Sequence, residues 1–547
     1  MKYFYLLFVV AIMFVSNANI TFSKIPTPEQ MLFNSAQGRE FYIAIPPNEA
    51  DGQPLGNTQE RSIDIYVTSS KNCNVTLEIP GLGYKLTKPV QAMKITTFNT
   101  FRNETSFQWE VRESEKVLDL GIHLYADQPI SVYVMNTRMV TSDGYLAIPT
   151  SACGTDYIHL SYYDFFENIT GGGERRGSGF IICATEDNTR VRIVLKGVGG
   201  AYAKTLGGRK IGDTWTINLN KGQVYCVMGD GNTRGQFDIS GSRITSDKPI
   251  GLISFHKRTL IPSYDLWNGR DHMCEMLPPV TAWGKKYSTV EFKRNDHGDF
   301  FRIIAAQDNT TFTVKWYSLT DGRLIGQAGP HKLNKSGDFM EFIEAYVERN
   351  KPNTIESIKG TSVWEADKPV LVMQYSYSAE WDNAAEFDPF MVLVVPTEQF
   401  IPSTVFQTPE GGAEFNTNWF NIVAVGDPDD PNHELLKSIV LDGKPVWSIV
   451  PQFLYNRIPT TDLYWAKLPM TKGAHVIKGN TKFGGYIYGF SEFNSYGWPA
   501  AMAINKLDET DTLPPEYYIS GECGDYQIRT TEFRTSKNPN DDPRQVD

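Results

Sequence analysis

The sequence predicts an all-β repeat protein, and three observations carry that prediction. An Asp-led bend returns on a fixed beat, short β-prone runs stand on either side of it, and no stretch shows sustained helical periodicity. The clearest bend lies in DISGSRITSDKPIGLISFH, residues 238–256, where Asp247, Lys248 and Pro249 separate two strand-like runs. Asp bonds backbone ahead of it and Pro fixes φ, so the stretch reads as a hairpin. YADQPISVYV around Asp127 and EADKPVLVMQY around Asp367 repeat it at intervals of 120 residues. Weaker copies halve the period: CATEDNTRVRIV at Asp187, AAQDNTTFTV at Asp308 and VGDPDD at Asp427, with degenerate forms near Asn72 and Lys482. Eight modules of about 60 residues follow.

Taken in order from Gly38, the first module offers REFYIAIP, SIDIYVTS, NVTLEI and MKITTFN, and the second FQWEV, VLDLGIHL, PISVYVM and YLAIP. Later modules repeat the quartet, as in TWTINL, QVYCVM, GSRITS and PIGLISF. Four antiparallel strands per module is the size of a propeller blade, and ring closure removes exposed sheet edges. The expected architecture is therefore an eight-bladed β-propeller-like ring. The alternative pairs successive modules into four tandem two-sheet β-sandwich units of about 120 residues. No Pro/Ser/Gly-rich spacer interrupts residues 38–504, which read as one repeat domain after a lead-in at 19–37. Residues 505–547 are polar, charged and Pro-bearing, and read as a flexible tail.

Residues 1–18 have the form of a secretory signal: Lys2, the apolar run Tyr3–Val15, then Ser16, Asn17 and Ala18. The run is too short to span a bilayer. Export fits the sequons at Asn19, Asn74, Asn103, Asn168, Asn309 and Asn334 as glycosylation candidates. It also fits an even set of cysteines, Cys73, Cys153, Cys183, Cys226, Cys274 and Cys523, as disulfide candidates. Their scatter has no C-x-x-C spacing, which argues against a zinc site. A net charge of −11 and no basic stripe argue against nucleic acid.

The longer loops follow the strands PISVYVM, PIGLISF, PVLVMQY and GGYIYGF, and by symmetry share one face. They and their flanks supply the candidate ligand-binding residues Asp143, Tyr145, Arg258, Asp265, Trp267, Arg270, His272, Tyr377, Trp381, Asp388, Tyr496 and Trp498. Aromatic rings among arginines and carboxylates suit recognition of a protein or glycan, because rings give large contact area at low entropic cost. The competing reading is that such rings pack between modules. Catalytic patterns were sought. His256 and His272 stand without H-E-x-x-H, G-x-S-x-G or a Cys/His partner, so no catalytic residue is assigned. Asp427, Asp429, Asp430 and Glu434 offer hard oxygens for Ca²⁺ but not in calcium-loop order, and the turn reading is preferred; no cofactor or metal is assigned. Carboxylates converging at a channel mouth would support the alternative of an extracellular hydrolase.

TSDGYLAIPTSACGTDYIHLSY (141–162), DHMCEMLPPVTAWGKKYSTVEF (271–292), FDPFMVLVVPTEQF (387–400) and NSYGWPAA (494–501) come in fixed order. In these four blocks the chain resembles the N-terminal domain of the IgG Fc-binding protein family, from about Gly38 to Met502. The resemblance implies a secreted, non-enzymatic binding or adhesive role in mucus or on an epithelial surface, with an extracellular protein or glycan as partner and immunoglobulin only by that family likeness.

Overall fold

The computed structural model describes residues 36–48, 62–100 and 106–507, apart from short segments at 139, 170–171, 201, 234, 263–268, 295–297, 344–353, 356, 380–385, 411–414 and 416. Beyond 507 it describes three strands, Glu516–Glu522, Asp525–Arg534 and Arg544–Val546, paired antiparallel where a tail without regular structure was expected. The signal-like residues 1–18, Asn19, Asn103 and Cys523 lie outside the described residues.

The described chain is all-β, and its structural unit is 120 residues long. Unit two shows the plan. One strand of 17 residues, Arg243–Thr259, runs the length of the unit and belongs to two sets of partners. Its first half pairs with Gly154–Ile158 and Thr189–Val194, and Thr214–Leu219 lies outside the latter. Its second half pairs with Ser178–Ala184 and Asp271–Leu277, with Val224–Met228 outside the former. Burial follows from position. Ser178–Ala184 (SGFIICA), covered on both faces, is buried throughout, whereas Thr189–Val194 (TRVRIV) alternates with its arginines outward.

The same plan recurs around Ile122–Arg138 in unit one, Thr361–Ala366 with Val370–Tyr375 in unit three, and Ala474–Ser491 in unit four. In unit four the third and fourth strands shrink to two residues each, and the short helices Glu434–Lys437 and Val446–Ile449 take their place. In units one, two and four these sheets differ from separate four-stranded blades, because neighbouring half-modules share a continuous strand; in unit three the two halves are separate sheets.

The Asp-led bend is accordingly not a hairpin. In units one and two the strand continues through it, and the register shifts there, between Glu40↔Tyr125 and Gly38↔Ile130 and between Thr245 and Ile250. Pro has no N–H to donate, so a register break is where a strand tolerates it. The bend is where the long strand passes from one set of partners to the other. The weaker half-beat marks the other crossing: Asp187 lies between Ser178–Ala184 and Thr189–Val194, which pair with opposite halves of the long strand. The two corners are fastened to each other. Asp247 accepts the N–H of Arg190 (2.8 Å), and Lys248 Nζ donates to the Asp187 carbonyl (2.5 Å). Asp367 accepts from Thr311 (2.7 Å) and Lys368 donates to Asp308 (2.6 Å); Asp127 accepts from Asn74 (3.0 Å).

The lead into unit one meets the end of unit four. Ala36 N–H donates to the Met502 carbonyl (3.1 Å), and Ser131 Oγ of unit one donates to Val405 O of unit four (3.0 Å). One continuous core runs through most of the chain, with a satellite inside unit three around Phe312, Phe342 and Trp364, and another at the seam of units three and four around Phe390 and Tyr488.

Candidate functional site

Each unit ends in a strand that folds back along the second half of its long strand: Thr141–Leu146, Asp271–Leu277, Met391–Leu393 and Asn494–Ala501. These four strands meet at the middle of the molecule, around buried acids. Asp143 accepts backbone N–H groups from all four units: Gly144 (2.8 Å), Cys274 (2.9 Å), Gly497 (3.3 Å) and Met391. Asp271 accepts from Ser142 N–H, from its neighbour His272 (2.8 Å), and from Ser495 N–H (3.0 Å) and Oγ (3.1 Å). Glu275 accepts from Leu393 (3.1 Å). Burial pushes Asp143, Asp271 and Glu275 well above the usual carboxylate range, although the backbone donors around Asp143 pull the other way.

The turns before these strands converge at one end, as their symmetry predicted. Ser142 Oγ donates to Ser495 O (3.0 Å) and Ser495 Oγ to Pro389 O (3.1 Å); Arg258 Nη2 donates to Val140 O (3.2 Å). Ile261 and Ser378 are bonded to each other twice (2.8 and 2.9 Å). The turns differ in length. Units one and four use tight connections between Arg138 and Thr141 and between Ser491 and Asn494. Units two and three use long ones, 260–270 and 376–390.

Within the second long connection lies Asp388. It is buried, and neither carboxylate oxygen has a hydrogen-bond partner among the described residues. Burial pushes its carboxyl up to about 7, against the pull of Arg258, Arg294 and Arg270. Gly269, at φ +82°, passes so close that a side chain there would collide with the Asp388 Oδ1 atom. Arg294 is held beside this group by Ser376 Oγ (2.5 Å) and over the rings of Phe387 and Tyr377 (5.3 and 5.9 Å).

The expected ligand-binding residues divide three ways. Arg258 and Arg270 are partly exposed at the converged turns. Asp265, Trp267 and Trp381 lie outside the described residues. Asp143, Tyr145, His272, Tyr377, Asp388, Tyr496 and Trp498 are buried, which corrects their assignment to an open surface. Their polar tips are tied inward: Tyr145 OH to Ala44 O (2.7 Å), Tyr377 OH to Ser357 Oγ (3.1 Å), Tyr496 OH to Asn418 Oδ1 (2.6 Å) and Trp498 Nε1 to Gln407 O (3.2 Å). His256 and His272 are likewise interior, each with a ring nitrogen facing a backbone carbonyl, and burial holds both imidazoles down to about 3.

Cys523 lies outside the described residues, and among those residues Cys73, Cys153, Cys183, Cys226 and Cys274 form no disulfide with one another. All but Cys153 are buried, and burial raises all five thiols, so they pack as small apolar groups. Asp427 and Asp430 accept backbone N–H groups of Asp429 (2.9 Å), Asn432 (2.8 Å) and Glu434 (2.7 Å), the geometry of a turn leading into a short helix. Of the sequons, Asn74, Asn309 and Asn334 are exposed, and the backbone of Asn168 lies in the strand Phe165–Ile169. No helix among the described residues is long and apolar enough to cross a membrane.

Sequence reasoning missed the strongest buried charge cluster. Arg302, fully buried between units two and three, donates to Asp238 Oδ2 (2.6 Å), Glu341 Oε1 (2.6 Å) and Ser161 O (2.7 Å), among the rings of Tyr162, Tyr163 and Phe339. The signal was present: a single Arg inside the apolar strand FFRIIA needs an acidic partner.

A family model described as IgGFc binding protein matches residues 143–489, more than half the chain. The chain belongs to the IgGFc-binding protein family. A relative named IgGFc-binding protein, from Homo sapiens, is 24% identical over 298 residues, a stretch that covers 54% of this chain and 5% of that protein. The chain thus corresponds to a small part of this relative's length, within a family of binding proteins.

Proposed function

We propose that this IgGFc-binding family chain is a secreted, non-enzymatic adhesion protein of mucus or an extracellular surface coat. It recognises a protein or glycan through the converged turns, chiefly the long pair 260–270 and 376–390. The convergence carries the reading: four turns from distant parts of the sequence are cross-bonded at one end, and only two of them are long. A rigid ring beneath variable turns is a common way to present a binding surface. The acids at the centre are engaged by backbone N–H groups of the last strands, which suits closure of the ring better than the hydrolase alternative.

The test replaces Trp267 and Trp381 together by Ala in the full chain. Binding is then measured on immobilised IgG Fc and on a glycan array. Loss of a signal seen with the parent chain, at least tenfold and with an unchanged thermal melt, is expected. Retained binding moves the contact surface away from the long turns.

A further inference from the structure

Units two and three leave a half-open cleft of about 370 Å³ between them, the size of a site for a small organic ligand. Its walls include Tyr163, Lys196, Val198, Asn334, Phe339 and Glu341. The chemistry is mixed in a particular way. Phe339, partly exposed, and Tyr163, buried behind it, are fixed against Arg302, with ring centres 4.8 and 4.9 Å from its guanidinium. Glu341 is a buried acceptor, oriented by Tyr163 OH (3.2 Å) and Arg302. Rings beside oriented carboxylates and a lysine suit a pyranose, which offers a C–H face for stacking and hydroxyl or acetamido groups for hydrogen bonds.

Asn334 begins the sequon Asn-Lys-Ser, is exposed, and lies on the cleft wall; Asn74 and Asn309, the other exposed sequon residues, do not. The turn that carries Asn334 is held from across the seam. Lys196 Nζ donates to Ser336 O and Asp338 Oδ1 (2.6 Å each), and Arg243 Nη1 donates to Ser336 Oγ (3.1 Å). The acceptor residue is thereby fixed at the cleft's mouth, and a sugar attached there enters with little left to order.

We infer that Asn334 carries an N-linked glycan whose proximal N-acetylglucosamine residues dock in this cleft, so that the chain's own carbohydrate covers the seam between units two and three. This rests on the export proposed above. A tethered sugar acts at an effective concentration in the millimolar range, so weak intrinsic affinity suffices to keep the cleft covered.

The experiment expresses the full chain in a eukaryotic secretory host, from its own first 18 residues and, separately, from a heterologous leader. Peptide mass spectrometry reads Asn334 occupancy. Hydrogen exchange of segments 196–198 and 337–341 is compared before and after peptide N-glycosidase treatment of the folded protein, with Asn334→Gln as a second comparison. Occupancy is expected, with exchange in both segments roughly three- to tenfold faster after removal. An unmodified Asn334 in exported protein overturns the inference, as does occupancy with exchange unchanged by removal. Failure of export from the chain's own leader alone, with the protected cleft still found from the heterologous one, counts against the secretion reading and supports the cleft.

Discussion

Two buried polar clusters tie the units to one another, and they do so by opposite means. At the centre, Asp143 gathers neutral backbone N–H groups from four units, and burial drives its carboxyl up. At the seam of units two and three, Arg302 meets two acids directly. There burial alone would raise the Asp238 carboxyl, but Arg302 and the Ser240 hydroxyl and N–H outweigh it, and the group lies below its ordinary value. The centre reads backbone position, and any displacement of a unit breaks its bonds. The seam reads charge, and holds two units whatever the others do. Geometric closure and pairwise locking are thus assigned to different chemistries.

The largest break in that contrast is Asp143→Ala. It leaves N–H groups of Gly144, Cys274, Met391 and Gly497 without an acceptor, at about 1–3 kcal/mol each where they stay dry, enough to exceed the stability of a typical domain's margin. The expected result is little or no soluble protein, whereas Asp143→Asn, which keeps one acceptor oxygen, folds with a reduced denaturation midpoint. Equal behaviour of the two variants would remove the central role of the carboxylate. Next comes Arg302→Met. It strands Asp238 and Glu341 in the interior and should cost about 3–5 kcal/mol in urea melts. Adding Asp238→Asn and Glu341→Gln should restore much of the loss, because the penalty lies in the orphaned charges. A triple variant as unstable as the single one would make Arg302 a packing residue instead.

The beat was legible because both crossings of units two and three carry an Asp that accepts a backbone N–H from a neighbouring strand or turn, and such a residue is visible in the sequence. Strand continuity through Asp247, Lys248 and Pro249 was not legible, since the same letters also make a turn. Hence the sequence shows a 60-residue beat, while the repeating unit has the 120 residues of the alternative reading. At the site, convergence of the turns followed from the repeat, but burial of Asp143, Tyr145 and Trp498 did not. The blocks TSDGYLAIP and NSYGWPAA contained the missing signal: apolar residues on both faces of a short strand mark full enclosure. An acid beside a turn reads as exposed until its strand is known to have neighbours on every side.

Acid separates the clusters further, with a smaller effect. Burial pushes the carboxyls of Asp164, Asp299 and Asp388 up to about 7, and holds the imidazoles of His159, His256 and His272 down to about 3. Each of these carboxyls binds its proton near neutrality when folded but only near pH 4 when unfolded. Its stabilisation is therefore complete below about 4 and is lost as pH rises through 7. Each histidine does the reverse, contributing stability above about 6.5 that is lost as pH falls toward 3. Between pH 8 and 6.5 the carboxyls act alone, and the melting midpoint should rise, at up to about 1.4 kcal/mol per group per pH unit. From about 6.5 to 4 the three histidines oppose the carboxyls, which also include Asp64, Asp143, Asp271 and Glu275, raised by burial as well, and the rise should slow. Below about 4 the carboxyls add nothing more, the histidines go on losing, and Asp238, with its depressed value, begins to lose the Arg302 pair. Calorimetry from pH 8 to 3 should therefore show a rise, a slower rise and a collapse. Asp388→Asn, which keeps the shape and deletes one titration, should lower the rise without moving the collapse; a midpoint that falls steadily from pH 8 to 6 would mean that these buried carboxyls are already charged.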